Sequence, residues 1–388
     1  MSEEPKVPIP ELGGAVVATG GETLYQCMQC GLCVASCPWR LVEGDISRDF
    51  NTRKVQHMAM LGVEGYETED VLFACTTCGI CSDRCPRECD PIVNMRVLRN
   101  MIGEMGSVPQ AYRPVIGSLN SNGNPWQGEP DQRTEWTEKA GEVPEFGPDT
   151  EYLLFVCCTS CYDSRSKKIA RAIASLLNKA GVSWGIIGND EQCCGEAVRK
   201  LGSEETFQSL AEHNIGLFND KGVKKIITTS PHCLYSFRYE YPELGGDYEV
   251  LHYTQLLEQL IADGKLEPSK DFGKKVIFHD PCYLGRHNEV YEAPRKVLDA
   301  LPKAERLEMD RNGPLSICCG GGGGRVWMET PAGARFGDLR VADAVSKQAD
   351  VLATACPYCT IMIDASNMAM GKEEMEILDV AELLDACT

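Results

Sequence analysis

The sequence predicts an α/β protein. A helical, cysteine-rich N-terminal domain (residues 1–103) precedes a linker (104–150) and two similar α/β modules, 151–270 and 271–388, with mostly parallel sheets. Three observations carry this. A run of four cysteines is written twice near the N-terminus, with a helix-like stretch between the copies. Two later stretches each open on a strand-like apolar run ending near a cysteine, Tyr152-Leu-Leu-Phe-Val156 and Lys275-Val-Ile-Phe278. Amphipathic helical segments separate such runs, as where Ile169, Ile173, Leu176, Leu177 and Ala180 share one face. A chain of 388 residues has room for two or three domains.

The N-terminal repeat reads Cys27-x2-Cys30-x2-Cys33-x3-Cys37-Pro38, then Cys75-x2-Cys78-x2-Cys81-x3-Cys85-Pro86. This is the two-cluster ferredoxin run, in which three closely spaced thiolates take three corners of one cubane and the fourth ligates the other. It predicts one [4Fe-4S] cluster on Cys27, Cys30, Cys33 and Cys85, and a second on Cys75, Cys78, Cys81 and Cys37. Zinc would use four ligands per site but explains neither this frame nor its repetition. A disulfide framework needs an oxidising compartment. The 37 residues between Cys37 and Cys75 include a helical-looking stretch, Thr52 to Leu61. That favours a helical ferredoxin, the type found in succinate dehydrogenase iron–sulfur subunits. Cys89 reads as a buried free thiol.

Composition agrees. The 21 cysteines are too many for ordinary core use in a reduced compartment. The N-terminus, MSEEPKVPIPELGG, is acidic and lacks an apolar core, so no signal peptide is expected. The longest uncharged run, Thr23 to Trp39, holds four cluster cysteines and is no membrane span. A net charge of −19 argues against nucleic acid and anionic membrane surfaces. The expected setting is the cytoplasm, with any membrane association made through a partner subunit. No nucleotide or flavin fingerprint is present, so electrons are expected to arrive from, or leave to, another protein. Residues 104–150 are rich in Gly, Pro, Asn and Glu without apolar period, with Trp126 and Trp136 as candidate anchors.

In module 2, Cys282 is followed by 35 residues, then Cys318-Cys319-Gly320, and later by Cys356-Pro357-Tyr358-Cys359. Five thiolates exceed a cubane's need, and the adjacent pair Cys318–Cys319 fits a larger, opened assembly. Gly320 to Gly324 would let backbone approach that core. The run lacks a P-loop lysine, so cluster packing explains it better than phosphate. Module 1 repeats the pattern incompletely: Cys158, 34 residues, Cys193-Cys194-Gly195, then Ser230-Pro231-His232-Cys233, with further thiols at Cys157 and Cys161. Either Cys161 replaces the missing ligand in space, or the site holds a four-thiolate cubane, or it holds nothing. His232, His252, His279 and His287 lie near the cysteine motifs, as proton donors or as hydrogen-bond partners that tune the site. Cys387 reads as incidental.

The two cysteine patterns together resemble the heterodisulfide reductase family. The Cys282, Cys318-Cys319-Gly320 and Cys356-Pro357-Tyr358-Cys359 arrangement is similar to the CCG domain. That domain occurs in the B and D subunits of heterodisulfide reductase, in the K subunit of the Dsr complex, and in iron–sulfur subunits of glycolate and lactate oxidation. A helical ferredoxin fused ahead of two such modules resembles the D subunit of heterodisulfide reductase. His279-Asp280-Pro281-Cys282-Tyr283-Leu284-Gly285-Arg286, Tyr291-Glu-Ala-Pro294-Arg295 and Gly324-Arg325-Val326-Trp327 fit the same resemblance. It implies that Cys282, Cys318, Cys319, Cys356 and Cys359 hold a noncubane [4Fe-4S] cluster that is the reactive centre. A further cluster in module 1 would draw on Cys158, Cys161, Cys193, Cys194 and Cys233, and Ser230 is the departure there. The resemblance implies an oxidoreductase working beside other subunits: a flavoprotein, a hydrogenase-like subunit or a haem membrane subunit. It also admits a pure relay role, as in the similar component of class II benzoyl-coenzyme A reductase or flavin-based bifurcating complexes.

Overall fold

The computed structural model describes residues 8–63, 65 and 71–388. Up to residue 103 the described elements are helices. The expected stretch forms a helix at Thr52–Leu61, capped by Asn51, whose side chain accepts from Lys54 N. A longer helix, Pro91–Glu104, starts with proline in its first turn and Asp90 as its cap.

Each module builds a four-stranded, all-parallel sheet. The first comprises β1 (Tyr152–Phe155), β2 (Trp184–Gly185), β3 (Lys225–Thr228) and β4 (Glu249–His252), in the order β2-β1-β3-β4. The second comprises β5 (Lys275–Phe278), β6 (Glu305–Glu308), β7 (Val351–Thr354) and β8 (Glu376–Asp379), in the order β6-β5-β7-β8. The same order in both sheets shows the two modules to be one unit repeated. Central strands β1, β3, β5 and β7 are apolar and buried, as parallel strands covered on both faces must be. The expected amphipathic helix forms at Lys167–Lys179.

Strand alternation decides what each face of the second sheet meets. Val276, Phe278, Val351 and Ala353 join the core shared with module 1, whereas Ile277 and Leu352 join the core shared with the N-terminal domain. The modules also meet through reciprocal helix pairs, Lys167–Lys179 with Val380–Cys387 and Tyr253–Ala262 with Glu292–Asp299. Arg165 grips Glu382 with both terminal nitrogens at 2.8 Å, and Tyr253 donates to Asp379 at 2.6 Å.

The 104–150 segment is more ordered than its composition suggests. It carries a helix at Arg113–Asn122 and a 3-10 helix at Pro130–Lys139. Trp136 is buried, and Trp126 is half-buried beside Trp327.

Candidate iron–sulfur sites

The two N-terminal cysteine loops share one backbone shape. Gln29 and Thr77 have φ of 59° and 50°, and Gly31 and Gly79 have φ of 85° and 86°, at matching places in the two runs. This left-handed conformation is costly for a side chain like that of Gln or Thr, so its recurrence marks a loop shaped for a purpose. The thiols gather in the crossed sets the spacing predicts. One cavity is lined by Cys27, Cys30, Cys33 and Cys85, together with Gln56 and Cys89. Burial, then the neighbouring Cys27, pushes the Cys33 thiol up to about 11. In the other set Cys37 faces Cys78 and Cys75, and Cys81 faces all three. Cys30 is exposed, whereas Cys75, Cys78 and Cys81 are buried. Cys89 is buried next to Gln56 and Asn94.

In module 2 all five predicted cysteines leave the C-terminal ends of strands and converge, where a parallel sheet gathers its ligand loops. Cys282 follows β5, Cys318 and Cys319 follow β6, and Cys356 and Cys359 follow β7. Sγ of Cys282 lies 3.7 Å from that of Cys318, and Sγ of Cys359 lies 3.3 Å from that of Cys319. His279, fully buried, has a ring nitrogen within 4.8 Å of Cys319 and Cys359, and neither of its nitrogens has a hydrogen-bond partner among the described residues. Burial, then the Arg340 charge, pushes this imidazole down to about 3, so it is neutral. Crowded soft thiols with an orphaned imidazole fit a soft-metal assembly and not a packed apolar core.

In module 1, Cys157, Cys158, Cys193, Cys194 and Cys233 line one cavity with Ser230 and with Tyr358 from module 2. Cys161 does not line this cavity, although it stands near Cys157 and Cys158. Its Sγ points at the Val156 carbonyl (3.4 Å), and it faces the buried Arg133. Arg133 pairs with Glu191 at 3.2 Å and reaches Cys158 Sγ at 3.4 Å. The 104–150 segment thus contributes a cation to this site, which its composition gave no signal of.

A cysteine-rich domain model matches the chain twice, at residues 152–238 and 276–364, and a 4Fe-4S dicluster domain model matches residues 23–89. The chain is 30% identical over 298 residues to the D subunit of dihydromethanophenazine:CoB–CoM heterodisulfide reductase from Methanosarcina barkeri, covering 75% of this chain and 70% of that one. The chain belongs to the family of heterodisulfide reductase D subunits. It is also 40% identical over 307 residues to the EtfAB:quinone oxidoreductase of Syntrophomonas wolfei, and 40% over 304 residues to the probable iron-sulfur-binding oxidoreductase FadF of Bacillus subtilis. Each match covers 76% of this chain and 43% of the relative, so the chain spans less than half the length of those two. These three relatives are named as oxidoreductases or reductase subunits, and the chain itself combines a 4Fe-4S dicluster region with two cysteine-rich CCG regions. Among the described residues no helix is long and apolar enough to cross a membrane.

In this family member the sites are wired together by buried side chains. Cys78 of the ferredoxin lies close to Cys318 of module 2, which together with burial raises its thiol. Arg286 donates to the Cys78 carbonyl at 2.7 Å and to Ser316 O at 2.7 Å, which places its charge beside Cys78, Cys282 and Cys318. Thr77 Oγ1 meets Tyr283 OH at 3.1 Å. Tyr283 is stacked between His232 (3.9 Å) and His287 (4.1 Å). His232 joins the modules: Nδ1 is 2.8 Å from Glu196, and the ring lies close to Cys356. Against the penalty of burial, Glu196 and Cys356 hold this imidazole up at about 10.

Arg99, fully buried, donates to the carbonyls of Leu72 and Cys75, to Lys200 O in module 1 and to Gly323 O in module 2, stapling all three parts. The glycine run serves the same junction. A Cβ at Gly322 would stand 2.3 Å from Thr76 O, and one at Gly323 2.4 Å from Cys75 O. The chain that comes close to these glycines is therefore the ferredoxin loop. Arg99, Arg133 and Glu196 carry no motif, and sequence reasoning misses them.

Proposed function

We propose that this chain is the electron-carrying part of a larger oxidoreductase. It would hold two [4Fe-4S] cubanes on the crossed ferredoxin sets and a noncubane [4Fe-4S] cluster on Cys282, Cys318, Cys319, Cys356 and Cys359. Bound clusters of this kind supply one-electron storage at each site. The chain's own residues then space and tune those sites. The observation that carries the reading is the seat of the ferredoxin loop on module 2, where Arg286 donates to the Cys78 carbonyl at 2.7 Å and Thr77 Oγ1 meets Tyr283 OH at 3.1 Å, which brings Cys78 close to Cys318. Cys30 is exposed beside Tyr25, Met28 and Leu32, so the first ferredoxin set gives the assembly an outward face for a redox partner.

Burial favours a relay over direct attack on a substrate, since each of the five module 2 thiols is at most 5% exposed. The name of the Syntrophomonas wolfei relative, EtfAB:quinone oxidoreductase, supports a partner chain or domain that exchanges electrons with a quinone. Membrane association, in this reading, belongs to that partner. Anaerobic iron and sulfide analysis tests the proposal. Four irons per cluster give about 12 per chain for three clusters and about 16 if module 1 is also filled. About eight would mean that the CCG modules are empty, and the reading fails. Disulfide-dependent oxidation of a reduced dye by the isolated chain would replace the relay with a catalytic centre.

A further inference from the structure

We propose that module 1 holds its own iron–sulfur cluster on five thiols, with Cys157 supplying the ligand that Ser230 does not. The proposal rests on the reading of the chain as a cluster carrier and assigns a ligand set within it.

The two modules match residue for residue just past the ends of β3 and β7. β7 ends at Thr354, and Cys356 follows two residues on as the cap of helix Pro357–Ala369. β3 ends at Thr228, and Ser230 follows two residues on as the cap of helix Pro231–Tyr235, accepting from His232 N at 3.3 Å. Ser230 therefore stands where module 2 has Cys356, and Cys233 stands where it has Cys359. A hydroxyl here serves the helix as a cap, but it is a harder and weaker partner for iron than a thiolate.

The missing thiol returns from the adjacent strand. β1 pairs with β3 in parallel, Phe155 opposite Thr228, and the pairing runs past the strand ends. Thr229 N donates to Phe155 O at 3.4 Å, and Cys157 N donates to Thr229 Oγ1 at 3.0 Å. Cys157 is thereby tied to the residue before Ser230. It lines the same cavity as Ser230, Cys158, Cys193, Cys194 and Cys233. At the matching strand end, module 2 carries His279 and Asp280 instead, and there β7 supplies the cysteine. Losing a thiol after β3 and gaining one after β1 leaves the count at five. Cys161 stands near Cys157 and Cys158 but does not line this cavity, and its Sγ lies 3.4 Å from the Val156 carbonyl.

The experiment compares iron, sulfide and the low-temperature EPR of the dithionite-reduced full chain, purified anaerobically. Wild type should carry about 16 irons. Cys157→Ala should lose about four, together with one EPR signal, while the ferredoxin signals persist and report a folded chain. Cys161→Ser should keep all of them. The double variant Cys157→Ala/Ser230→Cys should regain the lost iron, because it restores the module 2 arrangement. Full iron in Cys157→Ala, loss in Cys161→Ser, or no recovery in the double variant would each overturn the assignment. Wild type at about 12 irons would overturn it while leaving the ferredoxin and module 2 reading intact, and about eight would end both.

Discussion

Gln56 Oε1 accepts from Asn94 Nδ2 at 2.6 Å, which leaves its own Nε2 donor buried and without a partner among the described residues, in a side chain lining the cavity of Cys27, Cys30, Cys33 and Cys85. A cluster becomes more negative on reduction, so an amide donor beside it stabilises the reduced form. Gln56→Leu should therefore lower the potential of that cluster by on the order of 60 mV, the equivalent of one charge-assisted hydrogen bond. The second ferredoxin cluster should not move. An EPR-monitored redox titration reads both, and two unchanged potentials would show that the amide does not reach its cluster. Asp379 carries a different burden. Burial is the main cause raising its carboxyl to about 8, while Tyr253 accommodates Oδ1 and Oδ2 has no partner among the described residues. The folded state thus binds a proton that the unfolded state releases near 3.9. Its contribution to stability is complete below about pH 4 and is lost as pH rises towards 8, at up to about 1.4 kcal/mol per pH unit. Asp379→Asn keeps the helix cap and should flatten the urea-unfolding stability between those limits. A slope equal to wild type's would show that the carboxyl titrates normally.

Among the elements, the loop from Gly320 to Gly324 governs how the ferredoxin seats on module 2. Gly322 needs no unusual backbone angle, so Gly322→Ala is a steric test alone. Its new Cβ would meet Thr76 O at 2.3 Å. Overpacking of this kind costs about 1–3 kcal/mol. We expect a lower thermal midpoint and slower reduction of module 2 by the ferredoxin clusters, with iron content retained. A normal midpoint would mean that the interface yields freely. The helix Pro91–Glu104 acts at the same junction, since it presents Arg99 to the carbonyls of all three parts. The strands contribute by alternation: β5 and β7 turn successive residues to two different cores, so neither module 2 nor its neighbours could expose that sheet without losing apolar contacts on both sides.

At the scale of the whole molecule, the proposed ligation is modular while the packing is shared. The predicted ferredoxin ligands lie within residues 27–85, and those of module 2 lie beyond residue 281. Cys319→Ala should accordingly remove about four irons and the module 2 signature while both ferredoxin cubanes remain reducible. Loss of all signals would show instead that the sites assemble as one unit. The division between sequence and structure follows the same line. Local spacing alone wrote the crossed cysteine sets, the five thiols of module 2, the central strands and the Thr52–Leu61 helix, because a metal ligand frame and an apolar period are properties of neighbouring residues. The short or polar edge strands β2 and β6, and the half-exposed β8, had too weak an apolar signal to be read. Which thiol faces which cavity was also beyond the sequence: the spacing offered Cys161 as the replacement for the ligand missing at Ser230, whereas Cys157 is the one that lines the cavity, brought there by the pairing of β1 with β3. Glu196 reaching His232, Arg99 reaching three parts and Cys78 reaching Cys318 depend on contacts between residues 36 to 240 positions apart. Tertiary packing alone sets such distances, because no local pattern constrains them.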